Sequence, residues 1–261
     1  MHALTLIAGH QVIAWALGLI ITIVFLDLGA GFTRDHPPLC WRVLGMLAGP
    51  LTVVGYACLS LAGPWPYVPV LSGPFVLVAL RYSWAWYKRQ PAEPRRGAGR
   101  DAAIVGVGVL LFLMLSAGPD GGWTGGIVMG AYGGSAALLG GLTTLLVIAL
   151  TARVKDEVEV EATPYGVPAR VAAAGLSLSG LAGLDLLTRG LSHSTPAQHN
   201  LIMLWLFLSL CMPAVLIAAG HRLFPRFQKP VWVGALLSAV GGQVAIYMLL
   251  LLYPVLVPST L

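Results

Sequence analysis

Charged side chains are scarce in this chain of 261 residues. Asp, Glu, Lys and Arg together make 10%, whereas soluble domains carry about 25%. Apolar residues make 57%, above the roughly 45–50% of a soluble domain. Together these values exclude a water-soluble globule. Polar stretches are missing as well. None runs much beyond about fifteen residues, so the length leaves room for one helical membrane unit and for no extramembrane domain. Cysteine is nearly absent: Cys40, Cys58 and Cys211 lie far apart and form no CxxC pair. An iron–sulfur cluster takes about four thiolates, so this chain alone cannot hold one, and the three thiols read as small buried hydrophobes. There is no HExxH, Gly-rich phosphate loop, GxSxG or pair of carboxylates at metal-binding spacing, which leaves protease, NTPase and lipase readings without support. Of the six histidines only His10 lies clearly inside an apolar run. A bis-histidine haem would have to pair it with His199, and the chain reads as free of haem.

The placement of the few charges is informative. Apolar runs long enough to cross a bilayer alternate with short loops, and every second loop collects the cations. Residues 34–42 carry Arg34 and Arg42; 88–100 carry Lys88, Arg89, Arg95, Arg96 and Arg100; 153–170 carry Arg153, Lys155 and Arg170; 222–229 carry Arg222, Arg226 and Lys229. These are 13 of the 15 basic residues. Basic residues in short loops stay on the cytoplasmic side. The pattern therefore predicts an all-α integral membrane protein of eight transmembrane helices in an antiparallel bundle, with both termini outside. Topology and anionic leaflet lipids account for the net charge of +5, and no nucleic-acid partner is expected. The first run has no basic n-region and no small-residue cleavage site, so it is expected to be a retained helix and not a signal peptide.

The spans are expected at about 4–31, 40–62, 67–87, 102–117, 122–152, 168–188, 200–220 and 231–257, a single polytopic domain in a bacterial inner membrane. A span needs about 20 residues, so the fourth is short, and the first, fifth and eighth are long enough to tilt or kink. The Pro/Gly connections at 63–67 and 118–122 make their neighbouring helices adjacent. Within the fifth span Gly122, Gly126, Gly130 and Gly134 recur every four residues, followed by Gly140 and Gly141. One face without side chains predicts close helix packing. The mixed-charge segment 153–170 reads as a solvated linker, with a short cytoplasmic hairpin as the alternative.

Ionisable residues within a span default to functional hypotheses. Asp27 lies seven residues before Arg34 and Arg81 seven before Lys88, both on runs heading for the cytoplasm, which puts the two roughly 10 Å inside that boundary at 1.5 Å per residue. They are predicted to form an intramembrane ion pair, either orienting two helices or serving proton transfer. A second polar group gathers at the opposite face: His10 and Gln11 in the first span, Tyr67, Trp123, Asp185 and Arg189 at span ends, and His193 and His199 in the loop before the seventh span. A quinone pocket needs donors to two carbonyl oxygens, a group exchanging protons with water, and apolar walls. These eight residues supply those types and are the candidate quinone-binding set.

The C-terminal third, LWLFLSLCMPAVLIAAGHRLFPRFQKPVWVGALLSAVGGQVAIYMLLL, has a proline in the seventh span, a short basic loop and a Gly-Gly-Gln step in the eighth. In this it resembles the last two helices of the membrane anchor subunits of polysulfide reductase and DMSO reductase complexes, the NrfD-type family. The likeness covers about a quarter of the chain. The family's polar patch after the second span is replaced here by LAGPWPYVPVLSGP, so its contacts there do not carry over. The resemblance implies a non-catalytic anchor subunit of a respiratory oxidoreductase complex. Such a subunit takes electrons from, or gives them to, exchangeable menaquinone or ubiquinone near the periplasmic face. Its partners would be an iron–sulfur electron-transfer subunit and a molybdopterin catalytic subunit on that side. A small secondary transporter, with breaks at Pro213 and at Gly241, Gly242 and Gln243, and a structural subunit of a larger assembly remain the alternatives.

Overall fold

The computed structural model describes residues 2–29, 39–62, 67–117, 125–151, 163–189, 194–222 and 228–252, and among these it contains helices and no strand. The elements are α1 (His2–Gly29), α2 (Leu39–Ala62), α3 (Tyr67–Tyr87), α4 (Ala92–Ala117), α5 (Gly125–Met129), a first π-helical segment (Gly130–Gly134), α6 (Ser135–Thr151), α7 (Thr163–Arg189), α8 (Pro196–Trp205), a second π-helical segment (Leu206–Cys211), α9 (Met212–Arg222) and α10 (Gln228–Leu252). Each π segment continues directly into the helices on either side, so the described residues form eight rods. Seven are long and apolar enough to cross a membrane. The remaining rod, α3, has the length, but Arg81 and a run of Trp and Tyr in its second half make it less apolar.

The expected spans fall on these rods, and the ends differ where polar residues turn out to be helical. Helix α4 starts at Ala92, ten residues before the expected start at Ala102. Pro94 stands in its first turn, where a missing N–H costs nothing, and Glu93 favours the positive end of the helix dipole. Arg95, Arg96 and Arg100 are thereby helical. Helix α7 likewise takes in residues 163–167, ahead of the expected start at 168 and within the segment read as a linker. Helix α8 begins at Pro196 under a capping box: the Thr195 hydroxyl accepts the Gln198 N–H and the Gln198 side chain answers the Thr195 N–H. The turns at 63–66 and 118–122 lie outside the described residues.

Helices α1 and α6 form the axis. About two thirds of the apolar window of α1 is buried and 72% of that spanning α5 and α6, against 22% for α8 and α9. Helix α1 packs on α2, α4, α6 and α10, while α6 also packs on α7. In a bilayer, apolar contact between helices gains little over contact with lipid, so close approach through small residues decides the packing. Glycines of the fifth span do this, on two sides of the rod and not along the single face expected; Gly122 lies outside the described residues. A methyl group on Gly140 would run into the backbone of Gly18, and one on Gly18 into the backbone of Ala136. On the other side of α6, Gly134 faces Ser179 and Gly175, and Gly141 faces Pro168 and Ala172. Two apolar clusters result, one around α1 to α4 and one joining α6, α7, α9 and α10 through Leu142, Ala172 and Trp232.

Candidate functional site

Among the described residues, two polar clusters are buried, one toward each end of α1. The first is built on His10. Its Nδ1 lies 2.6 Å from the Tyr132 hydroxyl, the rings tilted at 58° with centroids 5.6 Å apart. Tyr247 of α10 completes the group, its ring edge-on to Tyr132 at 5.1 Å and 6.4 Å from His10. Gln243 stands four residues before Tyr247, hence on the same face of α10, and its Oε1 meets the Ser135 hydroxyl, which also faces the carbonyl of Ala131. All five side chains are buried. The Gln243 Nε2 has no hydrogen-bond partner. A buried N–H without a partner costs about 1–3 kcal/mol, and such an atom is a ready donor to an incoming acceptor.

The local backbone explains why these groups meet. Tyr132 lies in the first π segment, Gly-Ala-Tyr-Gly-Gly, and Ser135 follows it directly. A π turn inserts one residue into the helix and changes which side chains face the neighbouring rod. The extra residue turns the phenol toward α1 while α6 keeps its glycine face on Gly18. Just outside the cluster, Gln11 Nε2 donates to the Val240 carbonyl at 3.1 Å and Trp15 Nε1 to Thr143 Oγ1 at 2.7 Å, tying α1 to α10 and α6. The second π segment has a separate cause. Proline has no N–H and its ring displaces the carbonyl four residues earlier; for Pro213 that residue is Ser209, inside Leu206–Cys211.

Of the expected quinone-binding residues, His10 and Gln11 are side by side in this region. Asp185 is half-buried one turn before the end of α7, where its carbonyl accepts from Thr188. His199 is exposed in the first turn of α8. Tyr67 and Arg189 are helical at an end of α3 and of α7, with side chains outside the description, and Trp123 and His193 lie outside the described residues. Sequence reasoning missed Tyr132, Ser135 and Tyr247. The i, i+4 spacing of Gln243 and Tyr247 on an apolar helix was the available signal.

The second cluster corrects the expected ion pair. Asp27 pairs with Arg95 at 3.1 Å, not with Arg81, and the Arg96 Nε lies 3.7 Å from the same carboxylate oxygen. Arg96 also donates to the Asp27 carbonyl at 2.9 Å. The Arg95 guanidinium lies 4.5 Å over the Trp86 ring, which meets Tyr82 edge-on. Arg81 instead reaches Asp101 at 3.5 Å on the surface. Helix geometry explains the exchange. Leu77, Leu80, Arg81 and Trp84 share the exposed stripe of α3, while Phe75, Ala79, Tyr82 and Trp86 fill the buried one.

No family model, curated protein or solved structure matches this chain.

Proposed function

We propose that this chain is the quinone-binding membrane subunit of a multisubunit oxidoreductase, built like the polysulfide and DMSO reductase anchors it resembles. The observation that carries the reading is the buried His10–Tyr132 pair beside the unpartnered Gln243 Nε2. A quinone has two carbonyl oxygens that need donors, and each reduction or oxidation moves two protons with two electrons. Gln243 Nε2 is an available donor to one oxygen. The imidazole and phenol, in hydrogen-bond contact, can pass a proton to or from the other. Tyr247 and the apolar sides of α1 and α10 serve as walls. With three separated cysteines, the chain relies on a partner's iron–sulfur cluster for the electrons, and a molybdopterin subunit lies beyond it.

In this reading all eight rods span the membrane of a bacterial cell with both termini outside. That places the start of α1 and the end of α10, and so the His10 cluster, toward the periplasm. The test is isolation from solubilised membranes followed by quinol turnover. Co-isolation with a cluster-bearing protein, together with a loss of quinone-analogue binding of tenfold or more in His10→Leu and Tyr132→Phe, supports the reading. A chain isolated alone, with analogue binding untouched by both changes, refutes it. One observation favours a secondary transporter as the second reading: π segments, which often mark functional sites, distort two spans, one of them just before Pro213, although α10 runs unbroken through Gly241, Gly242 and Gln243. Substrate uptake by vesicles holding this chain alone would select it.

A further inference from the structure

At the end of the bundle where α1 finishes and α4 begins, a cavity of about 440 Å³ opens beside the Asp27 cluster. Its polar wall is Asp27, Tyr82, Glu93, Arg95, Arg96 and Arg100; its apolar wall is Val24 and Leu28. Three guanidinium groups thus face two carboxylates. The imbalance is deepest where water is scarcest. Arg95 is 2% exposed, Asp27 is its carboxylate partner, and its Nε has no hydrogen-bond partner. Arg96 must share that same carboxylate, and its own Nε is buried and without a hydrogen bond. One carboxylate cannot neutralise two guanidiniums: Asp27 pairs closely with the buried Arg95, and Arg96, whose side chain is 33% exposed toward the cavity, is left only partly compensated. Arg100 and Glu93 at the mouth are exposed, so the cavity reaches the surface.

We infer that this cavity binds a phosphate-class anion between Arg96 and Arg100, with Arg95 held in place behind them by Asp27. Planar guanidinium forks match phosphate oxygens in pairs, and the anion supplies the missing negative charge. The apolar wall extends the chemistry. Leu28 and the neighbouring Phe25 are exposed on α1, so the slot is polar at its head and apolar along its flank, as an acyl chain would require. A phospholipid headgroup and free inorganic phosphate share the recognised group and differ in whether that flank is used. The inference is independent of the quinone reading.

The test uses the full chain in nanodiscs of phosphatidylcholine with or without phosphatidylglycerol, with retained lipid read by native mass spectrometry, and separately in detergent with inorganic phosphate. The variants are Arg100→Gln and Arg96→Gln/Arg100→Gln; Arg100 is exposed, so its single change keeps the fold if the double variant does not. A cation near an anionic headgroup is worth about fivefold in affinity, so roughly fivefold and 25-fold losses of phosphatidylglycerol retention are expected. That result assigns a lipid headgroup. If phosphatidylglycerol is not preferred but millimolar phosphate raises the unfolding temperature of the parent chain and not of the Arg100→Gln variant, the site takes the free anion. Binding unchanged in both variants, or no response to either probe in the parent chain, overturns the inference.

Discussion

Replacing Asp27 by Asn removes one charge and almost no volume, which makes it the sharpest probe of the ion cluster. In the native chain the Asp27 side chain is 5% exposed and Arg95 2%, so both charges are largely withdrawn from solvent at the back of the cavity, and Asp27 is the carboxylate partner of Arg95. The asparagine amide can still accept from Arg95, but two guanidiniums would then face each other with no anion between them. Breaking a buried pair by removing one partner costs about 3–5 kcal/mol. At about 2–4 °C per kcal/mol for chains near this size, the unfolding temperature should fall by roughly 6–20 °C. Asp101→Asn is the internal control. Its pair with Arg81 is 3.5 Å long, with the two side chains 40% and 67% exposed, and exposed pairs contribute only about 0–1 kcal/mol. The assay is thermal unfolding in detergent for Asp27→Asn, Arg95→Gln, their combination, and Asp101→Asn. The double variant should lose less than the sum of the two single losses, because each single change strands a charge that the double change removes. If Asp27→Asn melts within 2 °C of the parent, or no lower than Asp101→Asn, the buried pair does not hold α1 to α4. Should Asp27→Asn also leave assembly and turnover intact, neither an orienting nor a proton-transfer role for this carboxylate survives.

Two further changes test the axis of the bundle. Gly140→Val should cost at least the upper end of the roughly 1–3 kcal/mol usual for overpacking, because its new methyls meet the Gly18 backbone and not a side chain that can swing away. Gly108→Ala, where nothing lies within 4 Å, should instead gain about 1 kcal/mol from helix propensity; equal melting temperatures for the two variants would refute the close-packing argument. Deleting Gly133 should convert the first π segment to ordinary α-helix and swing Tyr132 away from His10; under the proposed quinone reading, analogue binding then falls about tenfold or more while the helical circular dichroism stays. Unchanged analogue binding in a folded deletion variant would show that the π turn does not position the site.

Particular residues show how much could be read without coordinates. The helical character was legible along the chain, and the capacity to cross a membrane for seven of the eight expected runs, because length and apolarity alone decide whether a segment can cross hydrocarbon. The expected 67–87 matches α3 at both ends, where aromatic and cationic residues bound the apolar run. Close packing of the fifth span was legible from its run of glycines, but their division between α1, met by Gly140, and α7, met by Gly130, Gly134 and Gly141, was not. Segments 92–101 and 163–167 were misread as loops because they are polar, although their backbone continues the helix; hydropathy reports where lipid ends, not where hydrogen bonding ends. His10 was recognisable as the one histidine deep in a span. Its partners were not, since a lone tyrosine in a glycine run looks the same whether it faces lipid or core.

Composition and the length of the apolar runs were enough, unaided, to determine that the chain is a helical membrane protein, because those properties depend only on transfer between water and lipid. Which carboxylate meets which guanidinium, and that His10, Tyr132, Gln243 and Tyr247 converge, was decided only in three dimensions. The physical reason is rotational. Each residue advances a helix by about 100°, so a single π turn or a helix start ten residues early changes what faces the core without altering the apolar content of the span.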